Sequence, residues 1–299
     1  MLTSEQRVKI ALQKSGRLTE QSLGLLERCG IKFSKSKDQL FCYGENMPVD
    51  LLFVRHDDIP DLVEDDVCDL GIVGLNVLEE KRCNRQGNGE ARFDRLRTLD
   101  FGHCRLVIAA PEQRPVEDLT CLENSRIATS YVGLLTEFLR RERIDAEVVY
   151  LSGAVEIAPR LGKADFVCDL VSTGATLAAN HLREIHTILE SQAGIIATRA
   201  ELNPYKREWI DRIAQRLDGI LQVRESKYIM LHAPRSALPE ITRLLPGSEA
   251  PTVVPLDGCD EKVAIHAVCR ENVFWETLEN LKGAGASSLL VLPVEKMLA

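Results

Sequence analysis

The sequence lacks the features that direct a chain to a membrane or to an oxidising compartment. No uncharged apolar run approaches the roughly 20 residues that a membrane-spanning helix requires. The N-terminal segment, with Glu5, Arg7 and Lys9, has no apolar signal-peptide core. The nine cysteines are scattered, odd in number and free of Cys-x-x-Cys pairs, which is typical of reduced thiols. We therefore expect a cytoplasmic protein with no membrane partner.

Positive charge is also scarce. The chain has 45 acidic and 37 basic residues, a net charge of −8, which argues against a nucleic-acid partner. An anionic ligand would need local positive charge, backbone N–H groups or a bound cation. The hydrophobic fraction of 45% allows a sizeable core, and the length of 299 residues predicts two or three domains.

Strand-like and helix-like segments alternate through the first 180 residues. The first strand is predicted at Val8 to Gln13, and the following helix is predicted to be capped by Thr19 and ended by Gly30. Residues 84–95, rich in charge, are predicted to form an exposed loop. The other predicted strands are 49–54, 68–73, 104–110, 126–129 and 147–151, and the other helices are 59–65 and 134–143. This alternation predicts an α/β fold with largely parallel sheets.

An internal repeat connects two parts of this region. The octet from Val67 to Gly74, VCDLGIVG, resembles the octet from Val167 to Gly174, VCDLVSTG, 100 positions later. Each octet ends at a glycine that precedes a helix-like segment. Two similar lobes would each present a strand-to-helix turn to a cleft between them, and chance identity of the shared VCDL string is the alternative.

The last 75 or so residues have a different order of elements. Strands are predicted at 227–232, 252–256, 263–268 and 288–292, and helices at 236–245 and 272–282. This βαββαβ order is the ferredoxin-like arrangement. A helix from about Tyr205 to Val223 leads into it.

The strongest functional signal is the segment that follows the predicted strand ending at Asp169. The loop, here called the phosphate loop, consists of Ser172, Thr173, Gly174, Ala175 and Thr176. Gly174 permits a positive φ and a close approach of the backbone to a ligand. Amides at the start of the next helix and the loop hydroxyls suit a phosphate, and Asp169 is placed to accept bonds from sugar hydroxyls. No lysine follows the glycine and no three-glycine spacing is present, which excludes a Walker loop and a dinucleotide fingerprint. An ordinary capped helix start is the alternative.

The residues around this loop closely resemble the signature of the ATP phosphoribosyltransferases, which catalyse the first step of histidine biosynthesis. The signature residues are Glu156, Gly162, Ala164, Val167, Asp169, Leu170, Thr173, Gly174, Thr176 and Leu177. The segments QKSGRL at 13–18, DLGIVG at 69–74 and ESKYIM at 225–230 extend the resemblance along the whole chain. The chain is most similar to the bacterial long form, which carries a C-terminal regulatory domain.

The resemblance implies a two-lobed catalytic unit like that of periplasmic binding proteins, followed by a ferredoxin-like domain. The first lobe would comprise residues 1–104 and 181–224, and the second lobe residues 105–180. Residues 225–299 would bind histidine as a feedback inhibitor. The resemblance also implies a homo-oligomer, from dimer to hexamer.

The reaction implied by the resemblance joins phosphoribosyl pyrophosphate to ATP. N1 of the adenine attacks C1 of the sugar with inversion, and pyrophosphate leaves. The phosphate loop would hold the 5-phosphate and Asp169 the ribose hydroxyls. Mg²⁺ is the expected cofactor, bound mainly by substrate oxygens. The commoner phosphoribosyltransferases have a second acid before the aspartate, whereas this chain has Cys168, so no protein metal ligands are predicted.

Further residues are assigned by the same resemblance. Lys14 and Arg17, in the loop after the first strand, are the candidates for the ATP phosphates, with solvated loop charges as the alternative. Asp69 and Gly71 are candidates for the adenine side, with a core strand as the alternative.

The second lobe offers three supporting candidates. Ser130 and Tyr131 follow a predicted strand and could meet pyrophosphate, or they could be a helix cap and a core aromatic. Glu156 could support the site or be a structural acid on a helix face.

Two other function classes fit parts of the sequence. A solute-binding protein also has two α/β lobes around a cleft, but the missing signal peptide, the nine cysteines and the additional C-terminal domain argue against it. A non-catalytic regulatory subunit is a second alternative, against which the intact phosphate loop argues.

Overall fold

The strands of the chain form three β-sheets in a computed structural model, which describes residues 6–36, 39–85, 90–222, 226–245, 250–269, 275–295 and 297. The chain divides into two compact units, Met1–Trp209 and Ile210–Ala299. The first unit contains two of the sheets, and the second unit contains the third. None of the nine cysteines forms a disulfide bond, and six of them are buried.

The first lobe is built on a six-stranded sheet. Its strands are β1 (Val8–Gln13), β2 (Phe41–Tyr43), β3 (Val49–Val54), β4 (Leu70–Gly74), β5 (Phe93–Thr98) and β11 (Ala193–Thr198), and its helices are α1 (Thr19–Arg28), α2 (Ile59–Glu64) and α3 (Leu75–Asn84). The spatial order is β2-β3-β1-β4-β11-β5. Strands β3, β1 and β4 are parallel, and the other three pair antiparallel to their neighbours.

The second lobe is built on a five-stranded sheet. Its strands are β6 (Cys104–Pro111), β7 (Arg126–Thr129), β8 (Glu147–Tyr150), β9 (Phe166–Val171) and β10 (Leu182–Ser191), and its helices are α4 (Val132–Glu142) and α5 (Ala175–Ala179). The spatial order is β10-β6-β9-β7-β8. Strands β8, β7 and β9 are parallel, and β6 and β10 are antiparallel. Phe138 and Phe166 fill its core.

The two sheets therefore share one plan, in which three adjacent parallel strands are followed by antiparallel ones. The repeated octets correspond to equivalent strands of this plan, because β4 and β9 are each the third strand of the parallel set. The prediction of largely parallel sheets is wrong, since both sheets are mixed. Strands β10 and β11, through which the chain returns, make three of the antiparallel pairings, and β2–β3 and β6–β9 are the others described.

The position of that return differs from the predicted boundary. Strand β10 pairs with β6, so residues 182–191 belong to the second lobe. The chain re-enters the first sheet only at Ala193, whereas the sequence suggested residue 181. The predicted loop at 84–95 also differs, because α3 extends to Asn84 and β5 begins at Phe93, while residues 86–89 lie outside the described residues.

Helix α1 begins at Thr19 and is followed by Gly30 with a φ of 83°, in agreement with the sequence. The capping role predicted for Thr19 is wrong, because Thr19 is the first helical residue. Its hydroxyl donates to the carbonyl of Gln13 at 3.1 Å and so ties the helix start to the end of β1.

The second unit confirms the predicted βαββαβ order. Helix α6 (Pro204–Gln222) crosses the division between the units. It is followed by β12 (Lys227–Pro234), α7 (Leu238–Leu244), β13 (Thr252–Leu256), β14 (Cys259–Cys269), α8 (Trp275–Gly283) and β15 (Ser287–Pro293). The spatial order β13-β14-β12-β15 is antiparallel throughout, as in a ferredoxin-like sheet. The predicted start of the last helix, residues 272–274, lies outside the described residues.

Candidate active site

A cavity of about 580 Å³ lies between the two lobes, and loops at the carboxyl ends of all six parallel strands line it. Ligands of α/β proteins usually bind at this end of the strands. We call it the interlobe cavity. Its first-lobe lining includes Gln13, Arg17, His56, Asp57, Gly74, Asn76 and Glu80, and its second-lobe lining includes Ser130, Tyr131, Tyr150, Ser152, Asp169 and Ser172.

Asp169 is half-buried in β9, two residues before the strand ends, and lines the cavity. The N–H of Leu170 donates to its Oδ1 at 2.7 Å. Burial raises the pKa of Asp169, and the negative charge of Glu156 raises it further, while the Leu170 hydrogen bond opposes both effects. Asp169 thus lines the interlobe cavity and is less readily ionised than an ordinary aspartate.

The phosphate loop continues from β9 into α5. Of its residues Ser172 lines the cavity, while Thr173 and Ala175 are exposed. Gly174 has a φ of 81°, and a Cβ built on it would meet nothing within 4 Å, so its face is open. Helix α5 has only five residues, so its dipole contributes little. Loop amides and hydroxyls are the groups that could bind an anion here.

Glu156 lies apart from the interlobe cavity. It belongs to a short 3₁₀ turn of residues 155–157 and lines a separate cavity of about 410 Å³, together with Arg160 and His181. Glu156 therefore affects Asp169 electrostatically, because its negative charge raises the pKa of Asp169. The predicted supporting role of Glu156 is limited to this effect.

The two basic residues predicted in the first-lobe loop differ in position. Both side chains are exposed, but Arg17 lines the cavity and Lys14 is not part of the lining. The loop between them is held by the side chain of Gln13, whose Oε1 accepts the N–H of Leu18 at 3.2 Å. Arg17 is the better candidate for a ligand phosphate.

Asp69 and Gly71 do not reach the cavity. Asp69 is 3% exposed and accepts the N–H of Lys9 at 2.7 Å and the Nζ of Lys206 at 2.8 and 2.9 Å. It precedes β4 beside the start of β1, at the opposite end of the sheet from the cavity. A Cβ on Gly71 would lie 2.7 Å from Cγ2 of Ile59, so this glycine permits helix packing. The predicted contacts of Asp69 and Gly71 with ATP are therefore replaced by structural roles.

Ser130 and Tyr131 are brought to the cavity by the end of β7, as predicted, but only Ser130 is a free candidate ligand. Tyr131 is 8% exposed, and its hydroxyl accepts the Nδ2 of Asn76 at 3.0 Å. Burial is the main cause that raises the pKa of Tyr131, so the phenol stays neutral.

Sequence reasoning missed several lining residues. His56 and Asp57 follow β3, and their side chains are joined at 3.0 Å, which lowers the pKa of Asp57. Tyr150 ends β8 on the opposite lobe. All three lie at the carboxyl ends of parallel strands, where ligands of α/β proteins usually bind. The same reasoning that selected Lys14 and Arg17 would therefore have selected them.

The described residues contain no group of three or more histidine, cysteine, aspartate or glutamate side chains that could hold a metal ion. The carboxylates of Asp57 and Asp169 line the cavity from opposite lobes. This sparse set of oxygens fits a Mg²⁺ ion that keeps its waters and is carried by substrate phosphates. Within the described part of the chain, no helix is both long and apolar enough to cross a membrane.

Comparison with protein families gives two matches. The model described as HisG, ATP phosphoribosyltransferase, matches residues 55–219, which is more than half of the chain. The model described as the C-terminal domain of HisG matches residues 224–296. The first match includes the cavity-lining residues from His56 to Ser172 and the phosphate loop, and it begins after Gln13 and Arg17.

Solved structures are similar at the level of the fold. A chain of the ATP phosphoribosyl transferase (HisG:HisZ) complex from Thermotoga maritima is 22% identical, with 71% of this chain and 98% of that chain covered and a TM-score of 0.57. The periplasmic aliphatic sulphonate binding protein SsuA from Escherichia coli is 15% identical, with 72% and 73% covered and a TM-score of 0.47.

Proposed function

The chain belongs to the ATP phosphoribosyltransferase family, and from this premise we propose that it transfers the 5-phosphoribosyl group of phosphoribosyl pyrophosphate to N1 of ATP in the interlobe cavity. Membership makes the chain a phosphoribosyltransferase of histidine biosynthesis. The observation that carries the proposal is the convergence of both lobes on one cavity, with Asp169 and Ser172 on one side and Arg17 on the other. Its free cysteines suit a cytoplasmic enzyme.

The sugar donor is assigned to the second lobe. The amides and hydroxyls of the phosphate loop would bind the 5-phosphate, and the positive φ of Gly174 leaves its face open for this approach. Asp169 would accept hydrogen bonds from the ribose hydroxyls. Burial raises the pKa of Asp169, so its carboxylate becomes ionised at a higher pH than that of an ordinary aspartate. The interaction of the ionised carboxylate with the ribose is therefore available only above that higher pKa.

ATP is assigned to the first lobe, with Arg17 at its phosphates. Inversion at C1 requires adenine N1 to approach the sugar from the face opposite the departing pyrophosphate. A cleft with one substrate on each wall meets this requirement. The C1–O bond breaks as the N1–C1 bond forms, so the contribution of the protein is mainly orientation and electrostatic stabilisation of an oxocarbenium-like transition state.

We propose Mg²⁺ as the cofactor, held mainly by pyrophosphate oxygens. When bound, it would neutralise charge on the leaving group. Asp57 and Asp169 are the cavity carboxylates that could accept hydrogen bonds from its waters. Activity should disappear on chelation and return when Mg²⁺ is added in excess.

The test is to incubate the full chain with ATP, phosphoribosyl pyrophosphate and Mg²⁺. Mass spectrometry should show one product with the mass of a phosphoribosyl-ATP adduct, together with an equal amount of pyrophosphate. Omission of either substrate should abolish both signals. Binding of the sugar donor without turnover would instead support the solute-binding alternative.

For the C-terminal domain, residues 225–299, we propose feedback inhibition by histidine. The described residues form their own sheet, with a core around Ile229, Leu231 and Ile265, and they carry no phosphate loop. Inhibition requires that histidine bind the inactive arrangement more tightly than the active one. A coupling free energy of about 1–3 kcal/mol is typical of such systems.

The regulatory proposal is tested by comparing the full chain with residues 1–224. Millimolar histidine should inhibit the full chain and leave the truncated chain, if active, unaffected. The assignment is wrong if the full chain is indifferent to histidine or if both are inhibited equally. A plain oligomerisation domain is the alternative.

We also propose a homo-oligomer, from dimer to hexamer. The edge strands of the ferredoxin-like sheet, β13 and β15, expose Val253, Val254, Leu290 and Leu292. An edge with apolar side chains favours pairing with another copy. The similar Thermotoga maritima chain comes from a HisG:HisZ complex. Light scattering of the purified chain alone would give its mass, and a monomer would contradict the proposal.

A further inference from the structure

A carboxylate of the first lobe caps a helix of the second lobe. The two carboxylate oxygens of Glu80, on α3, accept the N–H groups of Gly133 at 2.7 Å and Leu134 at 2.8 Å. These amides belong to the first turn of α4, where no intrahelical acceptor exists, and α4 has no local side-chain cap. The negative charge of Glu80 also faces the positive end of the α4 dipole. Glu80 therefore performs for α4 the role that a local cap normally has.

A second contact between the lobes is made by Asn76, one turn earlier on α3. This side chain is 1% exposed. Its Nδ2 donates to the Tyr131 hydroxyl at 3.0 Å, and its Oδ1 accepts the Ser191 hydroxyl at 3.1 Å. Ser191 ends β10, where the chain returns to the first lobe. Asn76 thus connects α3 both to the start of α4 and to the crossing point.

Helices α3 and α4 approach each other so closely that only glycine fits at position 133. A Cβ on Gly133 would lie 2.6 Å from Oδ1 of Asn84 and 2.8 Å from Cβ of Cys83. Asn84 also donates to Oε1 of Glu80 at 2.8 Å, which fixes the carboxylate. Relative motion of the lobes at this point would therefore break the bonds that Glu80 makes.

The bonded groups lie next to the residues assigned to the substrates. Helix α3 starts directly after Gly74, and α4 starts directly after Ser130 and Tyr131, all of which line the interlobe cavity. The Glu80 carboxylate already occupies the amides of Gly133 and Leu134, so these two amides are not available to a substrate phosphate. The function of this contact is therefore to hold the lobes and not to bind a ligand.

We propose that Glu80 and Asn76 are positioning residues that fix the distance between the two walls of the interlobe cavity. This inference rests on the proposed function, because the fixed distance is that between ATP on one lobe and the sugar donor on the other. Each substrate contacts mainly its own lobe, so loss of the interlobe bonds leaves single-substrate binding intact. It lowers the rate of transfer, since a displacement of about 1 Å can reduce a rate on the order of 100-fold.

The experiment compares Glu80→Ala and Glu80→Gln with the control Glu79→Gln. Glu79 is the neighbouring acid on α3 and accepts a hydrogen bond from Nε of Arg82 on the same helix at 2.8 Å, a bond that the amide oxygen of glutamine can also accept. For Glu80→Ala we expect kcat to fall about 10- to 100-fold, with the Kd of each substrate alone within about threefold of wild type. Glu80→Gln should lose less, since its amide oxygen still accepts one N–H. Glu79→Gln should match wild type.

A second measurement follows the contact without using activity. Amide hydrogen exchange of the first turn of α4 should be faster in Glu80→Ala than in wild type, and unchanged in Glu79→Gln. If Glu80→Ala does not fold, Tyr131→Phe removes only the hydroxyl bonded by Asn76. Its kcat should fall about 2- to 10-fold with unchanged KM values.

Specific results would overturn the inference. A rise in KM and Kd for one substrate with an unchanged kcat would make Glu80 a substrate ligand. An unchanged kcat together with faster exchange would show that the contact exists but does not position the substrates. A wild-type chain that makes no product would refute the proposed function itself, whereas an active wild type with fully active variants would refute only this inference.

Discussion

Asp69 and Asp169 occupy the same place in a repeated octet, yet they lie at opposite ends of equivalent strands. Asp69 precedes β4 at the amino end of the first sheet, where Lys9 and Lys206 occupy its oxygens. Asp169 is near the carboxyl end of β9, has one backbone donor, and opens on the interlobe cavity. The position of an acid along its strand thus decides whether it bonds within the fold or lines the cavity.

The comparison extends to the partners of the two carboxylates. Asp69 accepts hydrogen bonds from the N–H of Lys9 and from Nζ of Lys206. Burial disfavours the charge on Asp169 and raises its pKa, which is a cost to the fold that a bound sugar would offset. The first acid is thus tied to stability and the second to the reaction, and substitutions should separate the two.

The largest effect is expected from Gly174→Val in the phosphate loop. A β-branched residue at a φ of 81° is strained, and its side chain would occupy the open face assigned to the phosphate. Calorimetry should detect no binding of phosphoribosyl pyrophosphate. The matched control is Gly162→Val, also at positive φ (66°) and in open space, but away from the cavity lining. Equal loss of binding in both variants would mean that backbone strain alone is responsible.

Removing the charge from each aspartate should separate stability from activity. Asp169→Asn should lower kcat/KM for phosphoribosyl pyrophosphate about 10- to 150-fold, equivalent to about 1.5–3 kcal/mol, while its Tm at pH 7 stays the same or rises. Asp69→Asn should lower the free energy of unfolding by about 3 kcal/mol, because it breaks a buried ion pair with Lys206. Its kcat/KM per folded molecule should stay near that of wild type. The reverse pattern in kinetics and thermal melts would invert our assignment of the two residues.

The two basic residues of the first-lobe loop offer a smaller contrast. Arg17→Ala should raise KM for ATP several-fold more than KM for phosphoribosyl pyrophosphate, because Arg17 lines the cavity. Lys14→Ala should change both values less than about threefold, because Lys14 is an exposed charge outside the cavity lining. Steady-state kinetics with each substrate varied in turn measures this. A larger effect of Arg17→Ala on the sugar donor would place the two substrates on the opposite lobes.

The smallest effect concerns the pH dependence of activity. Asp169 has a raised pKa, so activity that needs its carboxylate should decline as pH falls through that value, above the ordinary aspartate range. Glu156→Gln removes a nearby negative charge and should lower the pKa of Asp169. The acidic limb of the kcat/KM profile should therefore move to lower pH. An unmoved limb would show that another group controls it.

Much of the fold follows from local sequence patterns. The strand at Val8–Gln13 and the βαββαβ order of the second unit are visible because their apolar periodicity is local. The mixed sheets are not visible, because the pairing of β10 and β11 depends on residues distant in the chain. The return at Ala193 is set by that pairing and carries no local signal.

The candidate site is only partly predictable for a related reason. Asp169 lies near the end of a strand and Ser172 begins the hydroxyl-rich loop that follows, which is a local signal. Asp69 carries the same local string, but its environment is set by Lys206, 137 positions away. Glu80 and Asn76 lie within a helix, and only the approach of the other lobe gives them their role.

The division of the substrates between the lobes is tested most directly by a crystal structure of the chain with phosphoribosyl pyrophosphate bound. We expect the 5-phosphate to lie within hydrogen-bonding distance of the phosphate-loop amides, and Asp169 to accept hydrogen bonds from the ribose hydroxyls. Asp69 should keep its bonds to Lys9 and Lys206. A sugar phosphate bound instead by Arg17 in the first-lobe loop, with the phosphate loop empty, would contradict the account.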